Sequence, residues 1–254
     1  MKISIVTVCY NAAKTIGHCI ESVCSQDYPY IEHIIIDGVS TDETVAIVEG
    51  FQSKIAQFIS GPDGGIYNAM NKGIKLATGE VIGFLNSDDY LAHGAVISNI
   101  IHTMQTHNAE AVYGDLDYVD SHDIQKVIRC WKPGRYCEGA FRKGWVPPHP
   151  TFYCRQEVYN RLGGYHEEFK VAADFELMLR FIEKHKIKVC YLPEVVVKMR
   201  TGGVANHVKG ILQGNKEILK SFDMNGISVS PIFFVHKLIA KLSQLLIARS
   251  VQQS

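Results

Sequence analysis

The stretch EVIGFLNSDDY (residues 80–90) carries a short apolar, β-rich run directly into two adjacent aspartates, Asp88 and Asp89. Two neighbouring carboxylates repel each other, so the pair is costly unless a cation, a positive side chain or open water lies opposite. The stretch therefore predicts a strand that ends at a site for positive charge.

Four more apolar runs of strand length flank this stretch and are separated by segments of helix length. They are ISIVTV (residues 3–8), HIIID (33–37), IAQFIS (55–60) and AVYG (111–114). Near-continuous apolar strands alternating with helices are typical of an α/β fold with a mostly parallel sheet covered on both faces. Ligands of such sheets bind beyond the carboxyl ends of the strands.

The composition is that of an ordinary globular protein, with 46% apolar and 20% charged residues in 254. Lys and Arg (26) balance Asp and Glu (26), so no overall field attracts nucleic acid, and we expect none as a partner. Residues 126–143, named here the basic segment, contain six basic residues and one acid with aromatic residues between them. This mixture suits single-stranded nucleic acid, a phosphate-bearing acceptor or a membrane surface, and equally a solvated face.

The seven cysteines are scattered without a CxxC pair, which predicts reduced thiols. The N-terminal run lacks a small-residue cleavage site and is too short to span a bilayer, so we expect it to form the first core strand. Together these features predict a cytoplasmic protein.

The fingerprints of the common nucleotide-binding folds are missing after the first run. Neither GxGxxG nor GxxxxGK[ST] is present there, which disfavours an NAD-binding domain and a P-loop NTPase. Glycines instead precede a helical pattern in GPDGGIYNAMNKG (residues 61–73), where backbone N–H groups can meet a phosphate. Asp37 ends the second run before Gly38 and is placed to accept hydrogen bonds from a ligand.

The ordered set of strand-end Asp37, the glycine turn, FLNSDD and the later ADFELMLR resembles family 2 glycosyltransferases of the GT-A fold. This resemblance covers most of the chain up to about residue 207. It implies a Rossmann-like, mostly parallel central sheet flanked by helices. It also implies transfer of a sugar, with inversion, from a nucleotide-diphosphate sugar, which we expect to be a UDP-sugar, with Mn²⁺ or Mg²⁺ as cofactor.

The resemblance also assigns roles to the aspartate pair. Asp89 is the expected metal ligand, and Asp88 is expected nearer the ribose and sugar of the donor. Asn86 stands where many relatives carry the first acid of a DxD-type motif, and an amide oxygen binds a hard cation more weakly than a carboxylate does. A cation at this pair would neutralise charge on the leaving diphosphate.

Asp174 occupies the position of the family's catalytic base, which takes the proton of the acceptor hydroxyl. Many relatives have Glu-Asp there, whereas this chain has Ala173 before Asp174. Glu176 is the competing candidate, on a different face of the predicted helix. Either acid would also compensate the dipole at the start of a helix.

The remaining donor residues follow from the same resemblance. Thr7, Tyr10 and Asp37 are expected to receive the base and ribose, and Asp63 and Lys72 to border the donor phosphates.

Three further segments have alternative explanations. His149 lies between two prolines, either near the acceptor or as a stiff turn residue. RTGGVANH (residues 200–207) resembles the family's mobile loop, with Gly202 and Gly203 as hinges. His207 would reach the pyrophosphate or metal, or be an ordinary surface histidine.

We expect a single GT-A catalytic domain over residues 1–225, with a nucleotide-sugar half (1–115) and an acceptor half (116–225). Residues 226–254 form a tail with a predicted basic amphipathic helix over 230–250. This helix packs on the domain or on another subunit, or lies peripherally on the inner leaflet. The second alternative suits a polyprenyl-diphosphate-linked acceptor in surface polysaccharide synthesis. A glycoside hydrolase and a nonenzymatic nucleotide- or RNA-binding module are the competing functions.

Overall fold

The structure is a computed structural model that describes residues 1–202, 208–230 and 233–235. The first half alternates strands and helices, as predicted. These are β1 (Ile3–Cys9), α1 (Ile16–Cys24), β2 (Ile31–Asp37), α2 (Thr44–Gly50), β3 (Gln57–Ser60), α3 (Ile66–Leu76), β4 (Val81–Phe84), β5 (Asp89–Leu91) and α4 (Val96–His107). The second half contains β6 (Ala111–Val119), β7 (Val127–Trp131), β8 (Tyr153–Arg155), α5 (Gln156–Leu162), α6 (Ala173–Met178), β9 (Val189–Arg200) and α7 (Val208–Met224).

Within the described residues, one sheet joins the strands in the order β3-β2-β1-β4-β8-β6-β9-β5, and β7 pairs with β6. The strands β3, β2, β1 and β4 are mutually parallel because helices connect them. β8 is antiparallel to both β4 and β6 and joins the two halves. β6 and β9 are parallel, whereas β5 and β7 pair in the antiparallel sense. The α/β architecture is thus confirmed, and its second half is more mixed than predicted.

The sheet is covered on both faces. All seven residues of β1 are buried, and they alternate between the two sides. Val6 and Val8 belong to the core beneath α3 and α6, whereas Ile3 and Ile5 belong to the core beneath α4. The approach of α3 to β1 requires a glycine, because a Cβ at Gly73 would lie 2.2 Å from Val6 Cγ1.

The second half confirms the predicted hairpin, which is β6 and β7, and the predicted amphipathic helix. That helix begins at Ala173 and continues beyond α6 as a π-helical turn, Leu179–Lys184. The predicted stripe of Phe175, Leu179 and Ile182 is buried. The first turn of the helix, which carries the predicted base, is therefore anchored by its apolar face.

The predicted tail helix lies outside the described residues except for residues 233–235, which are helical. Phe233 is 1% exposed, and its ring centroid lies 5.4 Å from that of Phe222 in α7. The apolar core therefore continues past the boundary predicted at residue 225. No helix in the described ranges is long and apolar enough to cross a membrane.

A buried carboxylate joins β2 to the turn before β4. Glu32 accepts hydrogen bonds from Lys2 Nζ at 2.7 Å, Ser4 Oγ at 2.6 Å and both the hydroxyl and the N–H of Thr78. Burial alone would raise the pKa of Glu32, but these hydrogen bonds lower it from 4.5 to about 2. The ionised form is therefore the one that stabilises the fold.

We predict that the free energy of unfolding falls as the pH drops from 4.5 to about 2, because the unfolded chain takes up a proton at Glu32 in this range while the folded protein still holds Glu32 ionised. Glu32→Gln should lower the free energy of unfolding at pH 7 by about 2 kcal/mol and make the acid-side fall shallower. Urea unfolding across this pH range measures both effects. Glu49→Gln, on the exposed side of α2, is the control, and a Glu32→Gln profile identical to that of the parent protein would contradict the prediction.

Candidate active site

Two loops at the carboxyl ends of β1 and β2 are hydrogen-bonded to each other. The N–H of Asn11 donates to Ser40 Oγ at 2.8 Å, and Asn11 Oδ1 accepts the N–H of Thr41 at 2.8 Å. The β2 loop contains a β-branched residue in left-handed backbone, Val39 with φ 65°, and such strain is found chiefly at functional loops. Tyr10, expected to receive the nucleotide base, is 65% exposed beside them.

Thr7 and Asp37 are fully buried. Thr7 Oγ1 lies 3.0 Å from His33 Nε2 within the sheet. Asp37 accepts hydrogen bonds from the N–H and hydroxyl of Ser40 and from Ser60 Oγ. Burial alone would raise the pKa of Asp37, but these bonds hold it below its usual range. In this conformation the carboxylate of Asp37 shapes the β2 loop, and its expected contact with a donor stays a prediction.

The glycine turn after β3 lies against the β2 loop, and it brings Asp63 and Lys72 together. A Cβ at Gly38 would lie 2.8 Å from Asp63 Oδ2, so the Asp63 side chain covers this glycine. Asp63 Oδ1 accepts the N–H of Gly65 at 2.9 Å, and Lys72 Nζ donates to the carbonyl of Pro62 at 2.7 Å. Both residues thus border the N-terminus of α3, where backbone N–H groups favour anions.

The two aspartates after β4 differ in burial, since Asp88 is half-buried and Asp89 is fully buried. Asp89 Oδ2 accepts a hydrogen bond from Asn86 Nδ2 at 3.2 Å. Asp89 Oδ1 and Asn86 Oδ1 are buried and find no hydrogen-bond partner within the described ranges. Burial raises the pKa of Asp89 well above its usual range, and the charge of Asp88 raises it further.

These unpaired oxygens fit a hard divalent cation, which prefers oxygen ligands. The described part of the chain holds no assembled cluster of three or more His, Cys, Asp or Glu side chains. Mg²⁺ commonly binds through only one or two carboxylates together with substrate phosphates. The pair is therefore a fitting partial site that a bound diphosphate would complete.

Arg200, at the end of β9, holds the main chain of this pair. It donates to the carbonyl of Asp88 and to His18 Nδ1, the latter at 2.7 Å, and its guanidinium carbon lies 5.2 Å from the ring centroid of Tyr90. Arg200 is the first residue of the predicted loop, but the sequence assigned it no role of its own. Gly202 has a φ of 142°, a backbone conformation suited to glycine. Gly203 and His207 lie outside the described residues.

The predicted base and the predicted acceptor-side histidine are in contact. Asp174 Oδ2 lies 3.3 Å from His149 Nδ1, and Asp174 Oδ1 accepts a hydrogen bond from Tyr67 Oη at 3.4 Å. The two side chains of the Asp174–His149 pair are 25% and 26% exposed. Asp174 is thus an accessible carboxylate whose orientation is fixed by two neighbours. The sequence did not point to a contact of Tyr67 with Asp174. Its place two positions after Gly65 of the glycine turn is the feature that could have indicated it.

Glu176, the competing base candidate, is buried and paired with other side chains. Its side chain is 1% exposed and accepts Arg180 Nε at 3.0 Å, Arg180 Nη2 at 3.1 Å and Asn225 Nδ2 at 3.1 Å. Two residues along a helix turn the side chain away from Asp174 and into the core. This packing leaves Glu176 without access to an acceptor.

The two ends of the site meet at Tyr118 on β6. Asp89, Met199, Tyr118 and Arg129 are successive cross-strand neighbours. The guanidinium of Arg129 lies 3.6 Å from the ring centroid of Tyr118. Burial raises the pKa of Tyr118, Arg129 opposes this rise, and the charges of Asp89 and Asp174 add to it. Arg129 of the basic segment is therefore joined to the strand of Asp89 through Tyr118 and Met199.

Comparison with solved structures identifies the same fold in known enzymes. The chain matches S. aureus TarS 1–349 in complex with UDP with a TM-score of 0.68 and 19% identity, covering 93% of this chain and 68% of that one. It matches a mannosyltransferase from Pyrobaculum calidifontis, in complex with GDP-Man and Mn²⁺, with a TM-score of 0.65 and 19% identity, covering 98% and 74%. The expected GT-A fold is thus confirmed.

Sequence comparison gives the family. An uncharacterized glycosyltransferase of Mycobacterium tuberculosis is 31% identical over 180 residues, which cover 70% of this chain and 68% of the relative. A PGL/p-HBAD biosynthesis glycosyltransferase of Mycobacterium bovis is 25% identical over 234 residues, covering 87% and 84%. Residues 4–166 match the profile of glycosyl transferase family 2. The chain therefore belongs to glycosyl transferase family 2 and is a glycosyltransferase.

Proposed function

We propose that the protein is an inverting glycosyltransferase that moves a sugar from a nucleotide-diphosphate donor, a UDP-sugar, to a saccharide acceptor. The observation that carries this proposal is the Asp174 carboxylate, which is 25% exposed, lies 3.3 Å from His149 Nδ1 and accepts a hydrogen bond from Tyr67 Oη. A carboxylate opposite a diphosphate site is the arrangement that single displacement requires. The complexes of the two structural relatives with UDP or GDP-Man support this donor class.

In the proposed reaction, an acceptor hydroxyl attacks the anomeric carbon on the face opposite the diphosphate, and Asp174 takes its proton. The bond from the anomeric carbon to the diphosphate oxygen breaks, and its electron pair leaves with the nucleoside diphosphate. Tyr67 contacts Oδ1 of Asp174 and His149 contacts Oδ2. These two contacts orient the carboxylate toward the acceptor. Because attack and departure occur on opposite faces, the configuration inverts.

On the donor side, residues 1–115 supply Tyr10, Asp63 and Lys72 around the nucleotide. Asp88 and Asp89 would hold a divalent cation, with the half-buried Asp88 nearer the donor and the unpaired Asp89 Oδ1 behind it. Mn²⁺ or Mg²⁺ bound there supplies positive charge that offsets the negative charge of the leaving diphosphate. Arg200 keeps the main chain of Asp88 in place through its carbonyl.

We predict that Asp174→Asn lowers kcat by at least about 10²-fold while donor binding is retained, because the amide keeps the shape and loses the basicity. Glu176→Gln is the matched comparison. It should lower the free energy of unfolding by about 3 kcal/mol, since a buried ion pair is broken, and leave the turnover of folded protein within about threefold.

Steady-state kinetics against a panel of UDP-, GDP- and dTDP-sugars with Mn²⁺, together with urea unfolding, measure both variants. If Glu176→Gln removes turnover and Asp174→Asn does not, the base is Glu176 and its buried pairing opens during the reaction.

We predict that Asp88→Asn and Asp89→Asn each abolish the Mn²⁺-dependent thermal shift caused by the donor, because an amide does not supply the negative charge that the ion requires. Asp120→Asn, on the β6–β7 turn, is the control and should keep the shift. An unchanged shift in Asp89→Asn would restrict the ion site to Asp88. An unchanged shift in both variants would remove the pair from the ion site.

On the acceptor side, we propose that residues 116–225 receive a polyprenyl-diphosphate-linked saccharide used in surface polysaccharide synthesis. Arg129 stacks on Tyr118, which neighbours the strand of Asp89 through Met199, and this contact supports a role of the basic segment in meeting acceptor phosphates. The outer face of α7 exposes Leu212 and Leu219, at 59% and 43%, beside Lys209 and Lys216. An exposed apolar face with lysines is typical of a helix that lies on anionic lipid, which supports peripheral contact with the inner leaflet.

We predict that full-length protein co-sediments with phosphatidylglycerol vesicles and that a chain ending at Val235 does not. The cut is placed there because a shorter chain would lose Phe233, whose ring fills the core beside Phe222. Donor hydrolysis should be unchanged by the truncation, and phosphatidylcholine vesicles are the control for charge. Binding that survives truncation but not the double change Leu212→Glu and Leu219→Glu would assign the contact to α7 alone.

A further inference from the structure

Three consecutive backbone N–H groups, those of Lys170, Val171 and Ala172, lead directly into the helix that carries the predicted base. Such groups at the start of a helix lack partners within the helix and must find an acceptor elsewhere. The conformation of these three residues fixes where α6 begins. Asp174 follows Ala172 by two positions. The contacts that fix residues 170–172 therefore also orient the carboxylate of Asp174.

The acceptor is Glu217 of α7, which is 45 residues or more away in the chain. Glu217 Oε1 accepts the N–H of Lys170 at 2.9 Å, and Oε2 accepts those of Val171 at 2.9 Å and Ala172 at 2.8 Å. Gln213 Nε2, one turn earlier in α7, donates to Oε1 at 2.8 Å. The side chain of Glu217 is thus fully committed to the segment before Asp174.

The charge of Glu217 is stabilised in place. The residue is only 4% exposed, and burial alone would raise its pKa. The hydrogen bonds from Gln213 and from the three N–H groups outweigh burial and hold the pKa of Glu217 below its usual range. A buried ionised carboxylate that meets several N–H donors makes strong, directional hydrogen bonds.

Close packing one turn earlier on the same face of α7 supports the same contact. A Cβ at Gly214 would lie 3.3 Å from Val171 Cγ1, so the two segments approach closely there. Asn225, which follows α7, donates to Glu176 Oε1 at 3.1 Å. α7 therefore contacts the segment before Asp174, and Asn225, directly after α7, contacts Glu176 behind it.

We propose that Glu217 is a positioning residue that acts through Asp174 and determines the direction of its carboxylate relative to Tyr67 and His149. This proposal rests on the proposed role of Asp174 as the base. Glu217 is buried and its carboxylate is bound by Gln213 and three backbone N–H groups, so we expect it to touch neither donor nor acceptor. Its effect appears in the chemical step, because a misplacement of about 1 Å at a reacting group can cost about 10²-fold in rate.

The test compares Glu217→Gln with Glu168→Gln in the full-length protein. Glutamine keeps the size of Glu217 but replaces one acceptor oxygen by a donor that faces backbone N–H groups. Glu168 pairs with Lys220 of the same helix at 3.2 Å, with both side chains about half exposed, and supplies a matched contact that does not reach residues 170–172. Hydrogen exchange of the peptide covering residues 168–178 should accelerate in Glu217→Gln and not in the control.

Kinetics with the UDP-, GDP- or dTDP-sugar that the panel identifies should show kcat lowered about 10-fold to 10²-fold in Glu217→Gln. KM for the donor and the Mn²⁺-dependent thermal shift should stay within about threefold of the parent values, because the donor side is untouched. A parent-like kcat alongside accelerated exchange would overturn the proposal and leave Glu217 as a structural residue. A rise in KM for the donor as large as the loss in kcat would overturn the proposal as well.

A double-mutant cycle separates this inference from the function on which it rests. If Glu217 acts through Asp174, adding Glu217→Gln to Asp174→Asn causes no further loss of kcat, whereas an independent structural role gives multiplicative losses. Parent-like turnover in Asp174→Asn alone would contradict the proposed base. A large loss in Asp174→Asn with none in Glu217→Gln would contradict only the positioning role.

Discussion

The constraint on which the site depends is the cost of burying negative charge at the carboxyl ends of parallel strands. Most buried carboxylates of the described chain meet that cost with donors of the protein itself. Asp37 uses serine hydroxyls and an N–H, Glu176 uses Arg180, and Glu217 uses three N–H groups. Asp89 differs, since one of its oxygens has no partner within the described ranges. Arg200 offsets part of the cost at Asp89, and the oxygen without a partner is the observation behind the cation site proposed above.

The sheet brings this place and the base together although they lie far apart in the chain. β8 inserts antiparallel between β4 and β6 and so joins the parallel first half to the second. The edge of Phe84, at the end of β4, packs on Tyr165, and Tyr165 stacks on Tyr67, which contacts Asp174. The strand end before the aspartate pair and Asp174, the proposed base, are therefore linked by a continuous ring contact, which limits how far they can move relative to each other.

Two elements of the second half, α7 and β9, support residues of the proposed site from outside it. α7 contributes no side chain to the proposed site, yet Glu217 fixes the segment ahead of Asp174 and Asn225 holds Glu176. β9 ends at Arg200, whose guanidinium fixes the main chain of Asp88. Catalytic groups held by supporting contacts of this kind need little reorganisation as the reaction proceeds.

The sequence by itself determined the alternation of strands and helices, the polar ends of the strands, the aspartate pair and the place of Asp174 in the first turn of a helix. These features are local, because apolar periodicity and strand-end polarity are properties of short segments. The sequence did not predict which partners the individual polar side chains would have. Thr7 and Asp37 are polar at strand ends, but the pleat turns both inward, where His33 and the serines already bind them.

Only the tertiary structure decided which carboxylate is partly exposed and which is buried. Glu176 and Asp174 are two residues apart and chemically alike, and the choice between them depends on Arg180 and on the direction in which the helix packs. The contact of His149 with Asp174 joins segments 25 positions apart, and that of Glu217 with Ala172 joins segments 45 positions apart. Such contacts are set by the packing of whole elements, and no short pattern in the chain encodes that packing.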